Sequence, residues 1–533
     1  MAAAPGRPEP APIPVAAARS AGWRRIPWTG SLAAGALIVL VGGTLAAVAW
    51  ASGGLSRLGE WDRRAVWFTI WQAALSATLS AALAVPVARA LARRQFAGRG
   101  LLITLLGAPF ILPVIVAIMG LVSVFGRSGL VNTVLAPLGL GPLTIYGWHG
   151  VIIAHVFFNL PLSVRMILHG WQAIPAERLR LAQSLDFAPA DIARHLERPM
   201  LREVLPGAWL AVFLVCLTSF AVALALGGGP RATTVELAIY QAFRFDFDMG
   251  KAATLGLIQV GLCLIALAAT ARVAAPAGFG AGMDRAMMLT GPQGWRRAAD
   301  AAAITLAAAF LLLPMASVIA QGAPRITGLP ASVWDAAGRS VVMALISALA
   351  TLVLALALAG AIARGHRWIE AAGMLPIVAS PLVLGTGLFL LLRPWVAPSA
   401  LALPVTVAIN AAMALPFALR ILIPAARSLH ADYGRLADSL GMSGWARIRL
   451  LTLPRLARPL GFAGGLAAAL AMGDLGVITL FADSSNATLP LRLFQLMSAY
   501  RMADAAAAAV LLMAISFALF WAFDRGGRIR AAI

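Results

Sequence analysis

A chain of 533 residues that is 61% hydrophobic and only 12% charged is not a soluble globular protein. Its formal net charge of +21 invites a nucleic-acid reading. The Lys and Arg excess, however, gathers in the segments that fall on one side of a membrane, which orients a membrane protein and meets anionic headgroups without any nucleic acid.

From the N-terminus, Met1–Arg19 carries Pro5, Pro8, Pro10, Pro12 and Pro14 among alanines, a composition that predicts disorder. Apolar segments follow at approximately 32–52, 66–88, 101–124, 149–168, 205–226, 252–271, 301–321, 340–362, 371–392, 401–423, 460–481 and 505–523. Most approach or exceed the roughly 18 to 20 residues that a helix needs to cross about 30 Å of hydrocarbon, and they do not alternate as barrel strands do. The expected fold is therefore an all-α integral membrane protein of about 12 transmembrane helices. In the first span Ala49-Trp50-Ala51 imitates a signal-peptide cleavage site. The apolar stretch is about twenty residues long with some thirty residues before it, which reads as a retained helix. Cys216 and Cys263 both lie in apolar runs and read as small core residues rather than as a disulfide or metal pair.

Six spans precede the Gly- and Arg-containing stretch Ala274–Asp300 and six follow it. The expected organisation is a cytoplasmic N-terminus over 1–30, a peripheral first helix over 31–60, and a first transmembrane domain over 61–275. A linker over 276–300, a seventh helix with its outer loop over 301–335, and a second domain over 336–526 complete it. An even number of spans in each half makes the two face the same way, related by an axis along the membrane normal with a pathway between them. Both termini are expected in the cytoplasm. Each half has an arginine-ended helix (Arg89, Arg93, Arg94; Arg364, Arg367) and then a proline-bearing one (Pro109, Pro113; Pro376, Pro381). A helix with Pro161 or Pro416 follows.

After that proline helix comes the most tightly specified sequence of each half. Leu181-Ala-Gln-Ser-Leu-Asp-Phe187 recurs 255 positions later as Leu436-Ala-Asp-Ser-Leu-Gly-Met442. The same spacing carries Pro161 to Pro416, Arg165 to Arg420, Arg180 to Arg435, Arg194 to Arg449, Leu196 to Leu451 and Pro199 to Pro454. The chain is one unit built twice, and a loop specified this closely implies a docking partner. Leu181/Leu185 and Leu436/Leu440 share a helical face at i, i+4. Asp186 and Gly441 then interrupt, as residues that tolerate a left-handed backbone. A second short helix is expected from Pro189 or Ser443 to Pro199 or Pro454, with Phe187 or Met442 as an exposed apolar knob at the corner.

This arrangement resembles the EAA loop of binding-protein-dependent ABC importer permeases. The family pattern is Glu-Ala-Ala, three residues, Gly, and a Leu-Pro pair thirteen residues beyond the glycine; Pro199 and Pro454 stand thirteen beyond Asp186 and Gly441. The family's Glu aligns with Arg180 and Arg435, its first Ala with Leu181 and Leu436, and its second Ala is kept as Ala182 and Ala437. The Gly is kept as Gly441 alone. The resemblance runs from about residue 60 to 525 and implies two tandem six-helix repeats of the type I (MetI-like) fold. It implies that the loops insert into two copies of an ABC ATPase subunit, that a periplasmic solute-binding protein delivers a small-molecule substrate, and that the chain lies in the bacterial inner membrane. The double-length form narrows the field to thiamine and ferric-iron importers. Thr218–Gln241, Phe243–Asp248 and Ala471–Gly476 look most like the thiamine permeases, so thiamine or its phosphate esters are the expected substrate and ferric iron the alternative.

No Gly-x-x-x-x-Gly-Lys-[Ser/Thr] loop is present, and the sole lysine, Lys251, is followed by Ala252. ATP hydrolysis is thus expected on another chain, and this one is not expected to be an enzyme or to need a cofactor. The six histidines show no metal-ligand spacing. Polar groups within spans are the candidate pathway or gate: Asn159, Ser219, Asn410 and Asp474, with Pro161 and Pro416 as hinge or cavity residues. Interhelical hydrogen bonding is the competing role for Asn159 and Asn410, and capping of a helix end for Asp474. An ion-coupled secondary transporter is the rival class, but such transporters place ionisable relays deep in several helices, and Asp474 stands nearly alone.

Overall fold

A computed structural model describes residues 28–52, 58–106, 111–140, 142–273, 294–482 and 486–532. The stretch Met1–Arg19, Pro109 and most of the expected linker lie outside these residues. Every regular element among the described residues is helical. The main ones are α1 (Trp28–Ala51), α2 (Glu60–Arg93), α3 (Val114–Phe125), α4 (Trp148–Gln172), α5 (Ala176–Ser184), α6 (Arg198–Leu217), α7 (Val235–Arg244) and α8 (Met249–Val273). The second half follows with α9 (Trp295–Gly322), α10 (Ala331–Ile362), α11 (Pro381–Leu392), α12 (Pro398–Ser439), α13 (Ala457–Met472), α14 (Leu489–Ser498) and α15 (Met502–Ala532). Eleven helices among the described residues are long and apolar enough to cross a membrane, and a bent pair brings the number to as many as 12. In hydrocarbon a helix satisfies its own backbone, which is why so apolar a chain adopts this fold.

Four expected spans are broken, and the breaks come in matching pairs. In place of 101–124 a short helix Arg99–Leu105 precedes α3, which starts only at Val114 behind Pro113. In place of 371–392, Arg367–Val378 and Pro381–Leu392 meet at 93°. A proline fits the first turn of a helix but not its interior, so Pro113 and Pro381 restart the helix rather than bend it. The expected spans 205–226 and 460–481 also stop early, at Leu217 and Met472, and short helices resume at Ala221–Leu226 and Gly476–Phe481. The linker is shorter than expected, because α9 already begins at Trp295.

The repeat reaches well beyond the loops. In α2 the buried Thr69, Ser76 and Ser80 recur in α10 as the buried Ser340, Ser347 and Thr351, in the same order and spacing. Thr69 Oγ1 accepts from the Val235 N–H at the start of α7 at 2.8 Å, and Ser340 Oγ accepts from the Leu489 N–H at the start of α14 at 2.8 Å. The first N–H groups of a helix have no partner of their own, so each hydroxyl holds an amphipathic helix against the bundle.

The halves are also interlocked. α1 packs on α10 and α11 of the other half as well as on α8 of its own, and α9 packs on α2 and α3 as well as on α15. Both contacts close over a glycine. A Cβ at Gly387 of α11 would lie 2.5 Å from the Thr44 carbonyl oxygen, and one at Gly120 of α3 would lie 2.9 Å from the Pro314 carbonyl oxygen. Small residues at such crossings let helix backbones approach where apolar burial alone cannot drive association. Gly387→Ala is expected to cost about 1–3 kcal/mol, since backbone and not a movable side chain opposes the methyl. Gly35→Ala on α1, with nothing within 4 Å, is the control. A lower thermal midpoint for the first variant alone, in detergent-purified chain, is the expected result.

Candidate functional site: paired loops and polar helix breaks

The first loop comprises α5, a turn, a short helix Pro189–Ile192 and a π-type turn Ala193–Glu197 that runs on into α6. The second comprises the end of α12, the same turn, Gly444–Arg447 and a π-type turn Ile448–Thr452. The turn is one structure made twice. Asp186 N–H bonds the Gln183 carbonyl at 3.1 Å and Phe187 N–H the Ala182 carbonyl at 3.0 Å. In the second copy Gly441 N–H bonds Asp438 at 3.1 Å and Met442 N–H bonds Ala437 at 2.9 Å. This double bond pattern is the Schellman stop, which requires a left-handed residue after the helix. Asp186 has φ 48° and Gly441 φ 67°.

The Schellman stop corrects one expectation. Phe187 and Met442 are half-buried rather than exposed, because the residue in that position folds back on the helix it ends. They cover Ala182 and Ala437, which are 4% and 2% exposed, and Phe187 also lies against His195, with ring centroids 5.8 Å apart. The apolar groups presented outward are Leu181, Leu185, Leu436 and Leu440, between 54% and 66% exposed. Arg180 and Arg435 are exposed beside them. Pro199 and Pro454 do not end the second short helix as expected. Pro199 sits in the first turn of α6, and Pro454 in a further short helix, Leu453–Arg455.

The copies differ in their approach to the turn. Pro175 separates α4 from α5, whereas α12 runs unbroken for 42 residues to Ser439. Ala188 N–H is capped by Asp191 at 3.1 Å in the first loop, while Ser443 of the second makes no side-chain cap. The second loop is held instead by Arg447 on Asp438 at 2.7 Å and by Arg455 over the Tyr433 ring at 4.6 Å.

The remaining candidates divide. Ser219 and Asp474 occupy equivalent places in the two helix breaks, 255 positions apart as the repeat spacing requires. Asp474 Oδ1 accepts from the Gly476 N–H at 3.2 Å, so it does cap the helix that follows. Its Oδ2 has no hydrogen-bond partner among the described residues, and neither has Nδ2 of Asn410, which lies beside it on α12. The half-buried Asp474 carboxylate and the buried Asn410 amide thus face each other at the junction of α12 and the second break. Asn159, by contrast, is engaged in packing. It donates to the His155 carbonyl at 2.8 Å and to Cys216 Sγ at 3.4 Å, tying α4 to α6. Pro161 and Pro416 are buried inside α4 and α12 without interrupting either helix.

Two interior groups escaped the sequence reading. His155, the repeat counterpart of Asn410, is 3% exposed and faces Ser76 at 3.4 Å. Glu236 is fully buried, with both oxygens unpartnered among the described residues and Ser380 beside it. It stands in the first turn of α7, where a helix dipole favours an anion. The signal for it was a lone carboxylate two residues after Thr234, which caps α7 by accepting from Leu237 N–H.

The left-handed turn gives a direct test. Gly441→Val forces a β-branched residue into strain of about 1–2 kcal/mol or more, whereas Asp186→Gly relieves the one non-glycine turn. Membrane insertion is expected for both, with a lower thermal midpoint in detergent for Gly441→Val only. A midpoint equal to wild type in well-expressed Gly441→Val protein would overturn the importance of this turn.

No protein-family model matches the chain. It is 39% identical over 525 residues to the thiamine transport system permease protein of Brucella suis, covering 95% of this chain and 96% of the relative. The corresponding protein of Escherichia coli K12 is 36% identical over 490 residues, covering 87% and 90%. The molybdenum transport system permease protein of Azotobacter vinelandii is 28% identical over 182 residues, or 34% of this chain and 80% of that one.

Proposed function

The chain belongs to the family of thiamine transport system permease proteins, and from that premise we propose that it is the membrane permease of an ATP-driven importer. The solute is thiamine or its phosphate esters, taken from a periplasmic binding protein and released into the cytoplasm of a bacterial cell. What carries this reading is likeness along nearly the whole chain, joined to two loops that make the same turn twice.

Two copies of an ABC ATPase dock on the two loops, one each, and both termini share the cytoplasmic side with them. Leu181, Leu185, Leu436 and Leu440 are the docking contacts. An apolar side chain on a rigid helix end fills a groove at little entropic cost, and the arginines around it add orientation. ATP-driven closure of the ATPase pair then acts on the bundle through α4–α6 and α12–α13. Leu440→Glu is expected to abolish co-purification of the ATPase with a tagged chain while the protein still inserts. Retention of the ATPase at wild-type yield would remove Leu440 from the interface.

On the opposite side, Asp474 and Asn410 with Ser219 at the matching break form the inner end of the entry route. The free Asp474 oxygen attracts a cation such as thiamine as it leaves its binding protein. Asp474→Asn keeps the shape and a cap acceptor for Gly476 N–H but removes the charge. Thiamine uptake at matched expression is expected to fall, with ATPase assembly unchanged. Equal rates would make Asp474 a cap and nothing more.

A further inference from the structure

The two halves differ at one charged joint. At the end of α2, Arg93 and Arg89 both bind the buried Glu197 of the first loop, Arg89 at 3.1 Å. The register that matches Thr69 to Ser340 matches Arg93 to Arg364 and Arg89 to Gly360, and the loop register matches Glu197 to Thr452. The second half therefore keeps one arginine but has lost the other and the carboxylate. In their place is a cavity of about 70 Å³ lined by Gly360, Arg364, Thr452, His430 and Arg447, with a leucine floor that includes Leu356 and Leu451.

The pairing in this place differs from that of the first half. Arg447 and Asp438 replace Ile192 and Gln183 and pair with each other, His430 replaces Pro175, and Arg364 is left without the carboxylate that Arg93 has. Asp438, the carboxylate in range, is held by Arg447 at 2.7 Å. Among the described residues no carboxylate forms an ion pair with Arg364. Burial first and the Arg447 charge second lower the Arg364 pKa below the ordinary guanidinium value, against the pull of Asp438. The cavity exceeds by several times the space that one water needs. Arginine pairs are the donors that recognise a tetrahedral oxyanion, and the Thr452 hydroxyl, which here donates to the Arg447 carbonyl at 3.3 Å, lies on the same wall.

We propose that this cavity, framed by Arg364, Arg447 and Thr452, binds a phosphate group, either free or as an acidic phospholipid headgroup, in the place that Glu197 fills in the first half. The leucines in the lining suit a lipid, and the arginines suit phosphate from either source. An anion there ties the end of α10 to the second loop, as Glu197 ties α2 to the first. The proposal concerns this joint alone and does not depend on the transported solute.

The test uses the full chain, purified without its ATPase so that no nucleotide site takes up phosphate. Its thermal midpoint is followed in neutral detergent as inorganic phosphate replaces chloride at constant ionic strength. In a second series, phosphatidylglycerol replaces phosphatidylcholine in the micelles. A rise with the lipid alone supports the headgroup as ligand, and a rise with inorganic phosphate as well supports any phosphate. Arg364→Gln is expected to raise the half-effective concentration by about tenfold. Thr452→Glu, which restores the missing carboxylate, is expected to raise the midpoint without added anion and to abolish the response. If Thr452→Glu does not fold, Arg364→Gln decides. No rise with either anion, or an Arg364→Gln response equal to wild type, overturns the proposal.

Discussion

The structure depends on two glycine crossings, α1 over α11 at Gly387 and α9 over α3 at Gly120. Lipid tails are as apolar as leucine, so membrane helices are held by close backbone approach and by hydrogen bonds rather than by burial alone. At each crossing the first helix of one half is clamped to the core of the other. The halves thus cannot separate as independent bundles, and motion between them must be a rocking about shared contacts. A further link of the same kind, Ser123 Oγ to Ser317 Oγ at 2.9 Å, joins α3 to α9.

Polar groups in the interior follow from that constraint. In the hydroxyl stripes of α2 and α10, Thr69 and Ser340 satisfy the starts of α7 and α14 and so hold those helices to the bundle. Buried polar groups that are fully paired stiffen a membrane bundle, and those left unpaired mark places where something else is to bind or move. Asp474 Oδ2, Asn410 Nδ2 and the Glu236 carboxylate belong to the second kind, whereas Ser380 beside Glu236 caps α11 by accepting from the Val383 N–H at 3.2 Å.

The loops show how equal sequence yields unequal mechanics. The Schellman turn is the same in both, since its two hydrogen bonds and one left-handed residue leave little freedom. The path to it differs. Pro175 uncouples α5 from α4, while α12 carries the second turn on one continuous rod of 42 residues. Force applied at the second loop therefore reaches the bundle through a stiffer lever than force applied at the first. The joint behind each turn differs as well, a closed Arg–Glu–Arg cluster in one half and an open basic cavity in the other.

By itself the sequence determined what local chemistry and periodicity control. Apolar runs gave the membrane helices, the repeated Leu-Ala-x-Ser-Leu gave the paired loops, and Asp186 and Gly441 gave the left-handed turn, because only a few residues accept that backbone. The tertiary structure alone decided where spans break, since Ser219 and Asp474 read as polar residues within continuous spans until neighbouring helices satisfy the freed backbone. It decided that Leu185 and Leu440 face outward while Phe187 and Met442 turn in, a consequence of the turn folding back on its own helix. It also decided the exchange of α1 and α9, and the meeting of Gly360 with Thr452, which lie 92 positions apart in sequence. Contacts between distant segments depend on how helices cross, and no spacing within one helix encodes that.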